Sequence, residues 1–140
     1  MVVATSRWLL FGSMLSILFA AGCSGNTRVP TELVQGTIVS EDGRPIALAN
    51  IVLHPVETKT EFPKPRGTTD AEGTFKLSTY DTEDGAPQGK YRVTLERWFR
   101  DEPDSPPTNH LSTALATPAT AGIEIQITKG PNRLDPIKVR

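Results

Sequence analysis

The chain has 140 residues, with 15 basic and 16 acidic side chains, a net charge of −1 and one cysteine, Cys23. Both signs are scattered and there is no basic excess, which argues against nucleic acid and anionic surfaces as partners. A lone cysteine excludes an internal disulfide, so the fold rests on the packing of a single core in about one domain's worth of chain.

The first element is an export segment. Arg7 supplies one positive charge and the run Trp8 to Phe19 carries none, an n-region followed by an h-region. At roughly 14 residues to Ala21, the apolar run is shorter than the ~20 that a spanning helix needs. It ends Ala20-Ala21-Gly22-Cys23, small residues leading into the only cysteine. This resembles the bacterial lipobox, with Ala20 standing where Leu is more usual; the alternative is an ordinary secretory signal with a stray cysteine near the cut. The resemblance implies a signal peptide over residues 1–22, diacylglycerol on Cys23, and an acyl group such as palmitate on the new N-terminus. Ser24, rather than Asp, after the cysteine implies the outer membrane by the sorting rule of some bacteria. Several acyl chains, at ~0.8 kcal/mol per buried methylene, make such an anchor permanent. Residues 23–32 are polar, contain Gly25 and Pro30, and read as a lipid-anchored tether.

From residue 33 to 140 the apolar pattern has period two, the mark of half-buried strands. Val34, Gly36 and Ile38 share one face; so do Ala49, Ile51 and Leu53, then Phe75 and Leu77, then Tyr91, Val93 and Leu95, then Ile123, Ile125 and Ile127. The spacing predicts a core containing Ile38, Ile51, Leu53, Phe75, Leu77, Tyr91, Val93, Ile123 and Ile125, with Lys76, Arg92, Glu124 and Gln126 facing water. The last run, Leu134 to Val139, changes phase at Pro136, which predicts an edge strand or a bulge. Turns are predicted at Glu41–Pro45, Asp70–Gly73, Asp84–Pro87 and Lys129–Asn132. No helical period persists, so the fold class is all-β, a single antiparallel sandwich of about seven strands. The stretch 99–120, with four prolines and no alternation, is expected to be irregular and mobile.

In order, Val34-Gln35-Gly36-Thr37-Ile38, Gly43-Arg44-Pro45-Ile46, Ala49-Asn50-Ile51-Val52, Thr69-Asp70-Ala71-Glu72-Gly73-Thr74-Phe75 and Gly89-Lys90-Tyr91-Arg92-Val93-Thr94-Leu95 resemble the motifs of the carboxypeptidase regulatory-like domain. The resemblance covers about residues 33 to 97. It implies a transthyretin-like (prealbumin-like) sandwich that accompanies enzymes, receptors and surface proteins without being catalytic. A purine-breakdown hydrolase shares that sandwich and carries a C-terminal tetrapeptide beginning Tyr-Arg-Gly; this chain ends Ile137-Lys138-Val139-Arg140, which does not support that activity.

Residues suited to chemistry are sparse. His54 precedes Pro55 at a strand end and His110 lies in the proline-rich stretch, and no serine has the flanking glycines of a nucleophile elbow. Asp81 and Glu83 fit the alternation of a calcium loop in part, Asp84 does not, and no glutamate stands at the closing position, so a solvated loop is expected there. No catalytic residue, cofactor or metal ligand is assigned. Trp98 and Phe99 form the candidate contact surface if exposed, and otherwise cap the end of the sandwich. The expected function is a non-enzymatic envelope lipoprotein, membrane-bound through Cys23, with an envelope protein or polysaccharide as a possible partner. An accessory subunit of a surface transport or polysaccharide-handling complex comes second, and a hydrolase third.

Overall fold

The computed structural model describes residues 28–57 and 61–140; the export segment and Cys23 lie outside the described residues. In chain order the strands are β1 (Thr31–Glu32), β2 (Val34–Ser40), β3 (Asn50–Pro55), β4 (Arg66–Thr68), β5 (Thr74–Lys76), β6 (Ala86–Pro87), β7 (Gly89–Glu96), β8 (Trp98–Phe99), β9 (Thr108–Asn109), β10 (Ile123–Ile127), β11 (Asn132–Arg133) and β12 (Ile137–Val139). The fold is all-β. One four-stranded sheet runs β10-β7-β3-β4; the other gathers β5, β11 and β12 on β2; two-stranded pairs join β1 to β6 and β8 to β9.

Both four-stranded sheets feed one core. Ile51, Leu53, Tyr91, Val93 and Leu95 come from the first, and Val34, Ile38, Phe75, Ile137 and Val139 from the second. Every residue predicted to be apolar-in holds that phase, and Lys76, Arg92, Glu124 and Gln126 face water. Ile123 and Ile125 are only half-buried, because β10 is an outer strand with a neighbour on one side.

Three expectations are corrected. The sheets are not wholly antiparallel, since β11 and β12 both run parallel to β2. They occupy one side of it: Leu33 and Gln35 accept from Asn132 and Leu134, while Ile38 donates to Gly73 on the other. They are thus one edge strand broken around Pro136, the interruption its missing N–H dictates. Next, Ala86 and Pro87 are not turn residues but a buried strand under β1. Finally, the stretch 99–120 is irregular only in part. Trp98 and Phe99 pair with Asn109 and Thr108, Leu111 is buried, and Thr113–Ala116 forms a 3-10 turn. The prolines fall in the hairpin tip and flanks, where no ladder needs their donors.

The turns follow their chemistry. Asp70 accepts from the backbone N–H groups of Glu72 and Thr74, closing the Asx turn, and Gly73 at φ +73° sits where a Cβ would lie 2.6 Å from the Ile38 carbonyl oxygen. Thr69, also buried, donates to the Ile46 carbonyl and accepts from the Ala49 N–H, tying the loop before β3 to the strand's start. The Tyr91 hydroxyl donates to the Pro87 carbonyl at 2.8 Å. Burial, and secondarily Tyr80, push its pKa up to about 12. An unfolded tyrosine ionises near pH ~10, so this contribution to stability is complete below that pH and is lost as pH rises towards 12. An alkaline titration followed by circular dichroism should show a loss of stability between these values that Tyr91→Phe lacks. Equal pH dependence in the two proteins would contradict it.

Candidate functional site

The two ends of β7 carry different things. At its Gly89 end the chain enters the domain: Arg28 pairs with Asp81 at 2.6 Å, the Val29 N–H donates to the Tyr80 hydroxyl, and Glu32 accepts from Gln88 and from the Gly130 N–H. Residues 28–32, read as the last part of a tether, therefore lie bound along the domain.

At the Glu96 end, β7 continues through Arg97 into the β8–β9 hairpin. The Phe99 ring stacks on His110 with centroids 3.4 Å apart, and the Arg97 guanidinium covers it at 4.8 Å. Arg97 Nε also donates to the Ala47 carbonyl at 2.7 Å, and Asn109 Oδ1 accepts from the Arg97 and Leu111 N–H groups. The hairpin is thereby braced in one position. Phe99 is half-buried within this stack, while Trp98 points away from it and is 51% exposed. The two aromatics anticipated as a contact surface thus separate into a brace and a presented indole.

Leu48 was missed. It is 61% exposed and holds φ at +58°, a region that bulky side chains rarely enter. Its N–H donates to the Thr69 carbonyl, which helps hold the backbone there. The β3–β7 register pairs Asn50 with Glu96, so Leu48, in the turn before β3, and Trp98, just after β7, lie at the same end of the sheet. The only sequence signal was that Leu48 is apolar and out of phase with Ala49, Ile51 and Leu53.

The histidines are engaged structurally. His54 Nε2 lies 2.9 Å from Thr94 Oγ1, and burial first, then the Lys64 charge, hold its pKa below the ordinary value. His110, Asp101 and Thr108 bring an acid, an imidazole and a hydroxyl together. Asp101 and Thr108 both address the same nitrogen, Nε2, at 3.4 and 3.0 Å. A relay needs the carboxylate and the nucleophile on opposite nitrogens, so the trio is not arranged as one. The acidic loop is likewise committed. Asp81 holds Arg28, Glu83 holds Lys76 at 2.7 Å, and Asp84 accepts from the backbone N–H groups of Thr79, Tyr80 and Asp81. Burial raises the Asp84 pKa, but these bonds together outweigh it and leave it lowered. Among the described residues no three acidic, histidine or cysteine side chains converge on a cation site.

No protein-family model matches the chain, and none of the curated proteins matches it. Similar solved structures include a DUF3823 family protein from Parabacteroides merdae ATCC 43184, 16% identical, with 80% of this chain and 47% of that one covered at a TM-score of 0.44. Another is a 9R-lipoxygenase from Cyanothece PCC8801, 18% identical, with 79% of this chain and 16% of that one covered at 0.44. The chain thus spans less than half the length of either. Likenesses this loose leave fold and activity to be argued from the chain's own residues.

Proposed function

We propose that this protein is a non-enzymatic envelope lipoprotein, anchored through lipid on Cys23, whose domain is a transthyretin-like sandwich serving as a binding module. Counting β11 and β12 as one broken strand, the two larger sheets hold seven principal strands around a shared core, which supports that architecture. The observation that carries the reading is the opposed placement of entry and patch. Arg28 is bound beside β6, whereas Trp98 and Leu48 sit beyond the other end of an eight-residue strand, roughly 25 Å away at ~3.3 Å per residue. Cys23 to Arg28 can span at most about 18 Å. A lipid on Cys23 therefore holds the Gly89 end near the bilayer and turns the indole outward, towards an envelope protein or polysaccharide.

Mass spectrometry of membrane-extracted protein should find an acylated cysteine at the N-terminus, and Cys23→Ala should leave the membrane fraction without the acyl mass. An unmodified N-terminus, or an unchanged location for Cys23→Ala, would refute the anchor.

A further inference from the structure

We infer that the outer edge of β10 pairs with the same edge of a second copy of this chain, antiparallel about a twofold axis at Ile125. Antiparallel pairing points the Gly89 ends of the two copies in opposite directions, so this is a dimer of chains not held upright together on one bilayer, and the inference does not rest on the lipid. In the β3–β7 ladder the Lys90 carbonyl accepts from the Val56 N–H, so even-numbered residues of β7 bond towards β3 and odd-numbered ones towards β10. Tyr91 and Val93 are odd and face Ile125 and Ile123. The backbone groups of Glu124 and Gln126 therefore point outward, and among the described residues nothing bonds them.

The outer edges of β4 and of β11–β12 are blocked. In β4, Arg66 exchanges both of its backbone bonds with Ser78, and the β11–β12 edge is broken at Pro136 between Asp135 and Lys138. A strand edge is usually protected by proline, by charge or by a covering segment. Ile123-Glu124-Ile125-Gln126-Ile127 contains no proline, and its one charge is already held within the subunit, by Lys90 at 2.7 Å and Arg92 at 3.5 Å.

The sequence of the edge is complementary to itself. With Ile125 on the axis, Glu124 meets Gln126 of the other copy, twice, and Ile123 meets Ile127. Glu124 and Gln126 then form hydrogen-bonded pairs with four main-chain bonds, and no carboxylate faces another. A register centred on Glu124 would set two carboxylates against each other, which is destabilising. On the inner face Ile123 and Ile125, half-exposed beside a groove of about 510 Å³ that runs along Leu134 to Lys138, would gain isoleucine neighbours.

The test is sedimentation equilibrium of the full chain in density-matched detergent. The expected result is a concentration-dependent dimer. Gln126→Glu, which sets acid against acid at both pairs, should weaken it about ten-fold. Gln126→Pro removes an outward N–H that the fold does not use and should abolish the dimer with an unchanged melting temperature; if that variant unfolds, Gln126→Glu carries the test. Ile125→Cys should oxidise to a covalent dimer, because directly opposed non-hydrogen-bonded residues lie within disulfide reach. A monomer at every concentration, a dimer indifferent to Gln126→Glu, or an extended segment of a different protein on this edge would each overturn the inference.

Discussion

Gly85→Ala is expected to destabilise the domain by roughly 3–5 kcal/mol, a loss of a size seen only where a specific close approach is broken. A Cβ at Gly85 would lie 1.8 Å from the Glu32 carbonyl oxygen and 3.0 Å from the Leu33 Cα, both of them backbone atoms that no rotamer change can move. To make room, β1 would have to leave β6 and take Glu32 off Gln88 and Gly130. Gly43→Ala provides the comparison. Its φ of +83° is similarly positive, but no atom lies within 4 Å of the new Cβ, so only the left-handed penalty of about 1–2 kcal/mol applies. Thermal or urea unfolding of the two variants separates clash from backbone strain. Equal losses would show that the crossing of chains at Gly85 matters no more than its dihedral angles.

The same glycine marks where sequence stops being informative. A turn at Asp84–Pro87 was legible from composition, and Gly85 does take a positive φ of +89°. That the chain around Glu32 passes over it was not, because Thr31 and Glu32 have no alternation and their partner is a proline-containing pair far along the chain. Phase, by contrast, was legible along the principal strands, Thr94 on β7 being a buried exception. Ile51 and Leu53 or Tyr91 and Val93 are buried while Arg92 between the latter is not, and a slip of one residue would invert every face. Direction was not legible: alternation is the same in parallel and antiparallel strands, so the parallel run of β11 and β12 along β2 had no signature. At the candidate site the aromatic pair was visible. Its division into a braced Phe99 and a presented Trp98 depends on His110 and Arg97 stacking across a hairpin, and Leu48 comes to the same end of the sheet only through the pairing of β3 with β7.

The stretch 99–120 should behave as two parts with opposite sensitivity. Leu111 is 7% exposed and belongs to the core cluster, with its N–H held by Asn109. Leu111→Ala is therefore expected to cost about 2–4 kcal/mol, the lost transfer energy plus the cavity left behind. The tip is different. Phe99 and Thr108 are paired residues, so Arg100–Pro107 can be replaced by Asn-Gly, the two-residue turn whose twist suits a hairpin. The residues removed make only exposed contacts, such as Asp101 with Thr108 and Ser105 with Glu102. Stability should change by less than about 1 kcal/mol. The Asn109 and Leu111 contacts persist in the shortened chain and Trp98 stays on its strand, so any ligand bound through the indole should still bind. Should the shortened variant melt as early as Leu111→Ala, the tip would be part of the fold and the hairpin's brace would extend through Asp101. Should Leu111→Ala instead melt with the parent, the core would end at Leu95 and the hairpin would be an appendage, held in place by Arg97 alone.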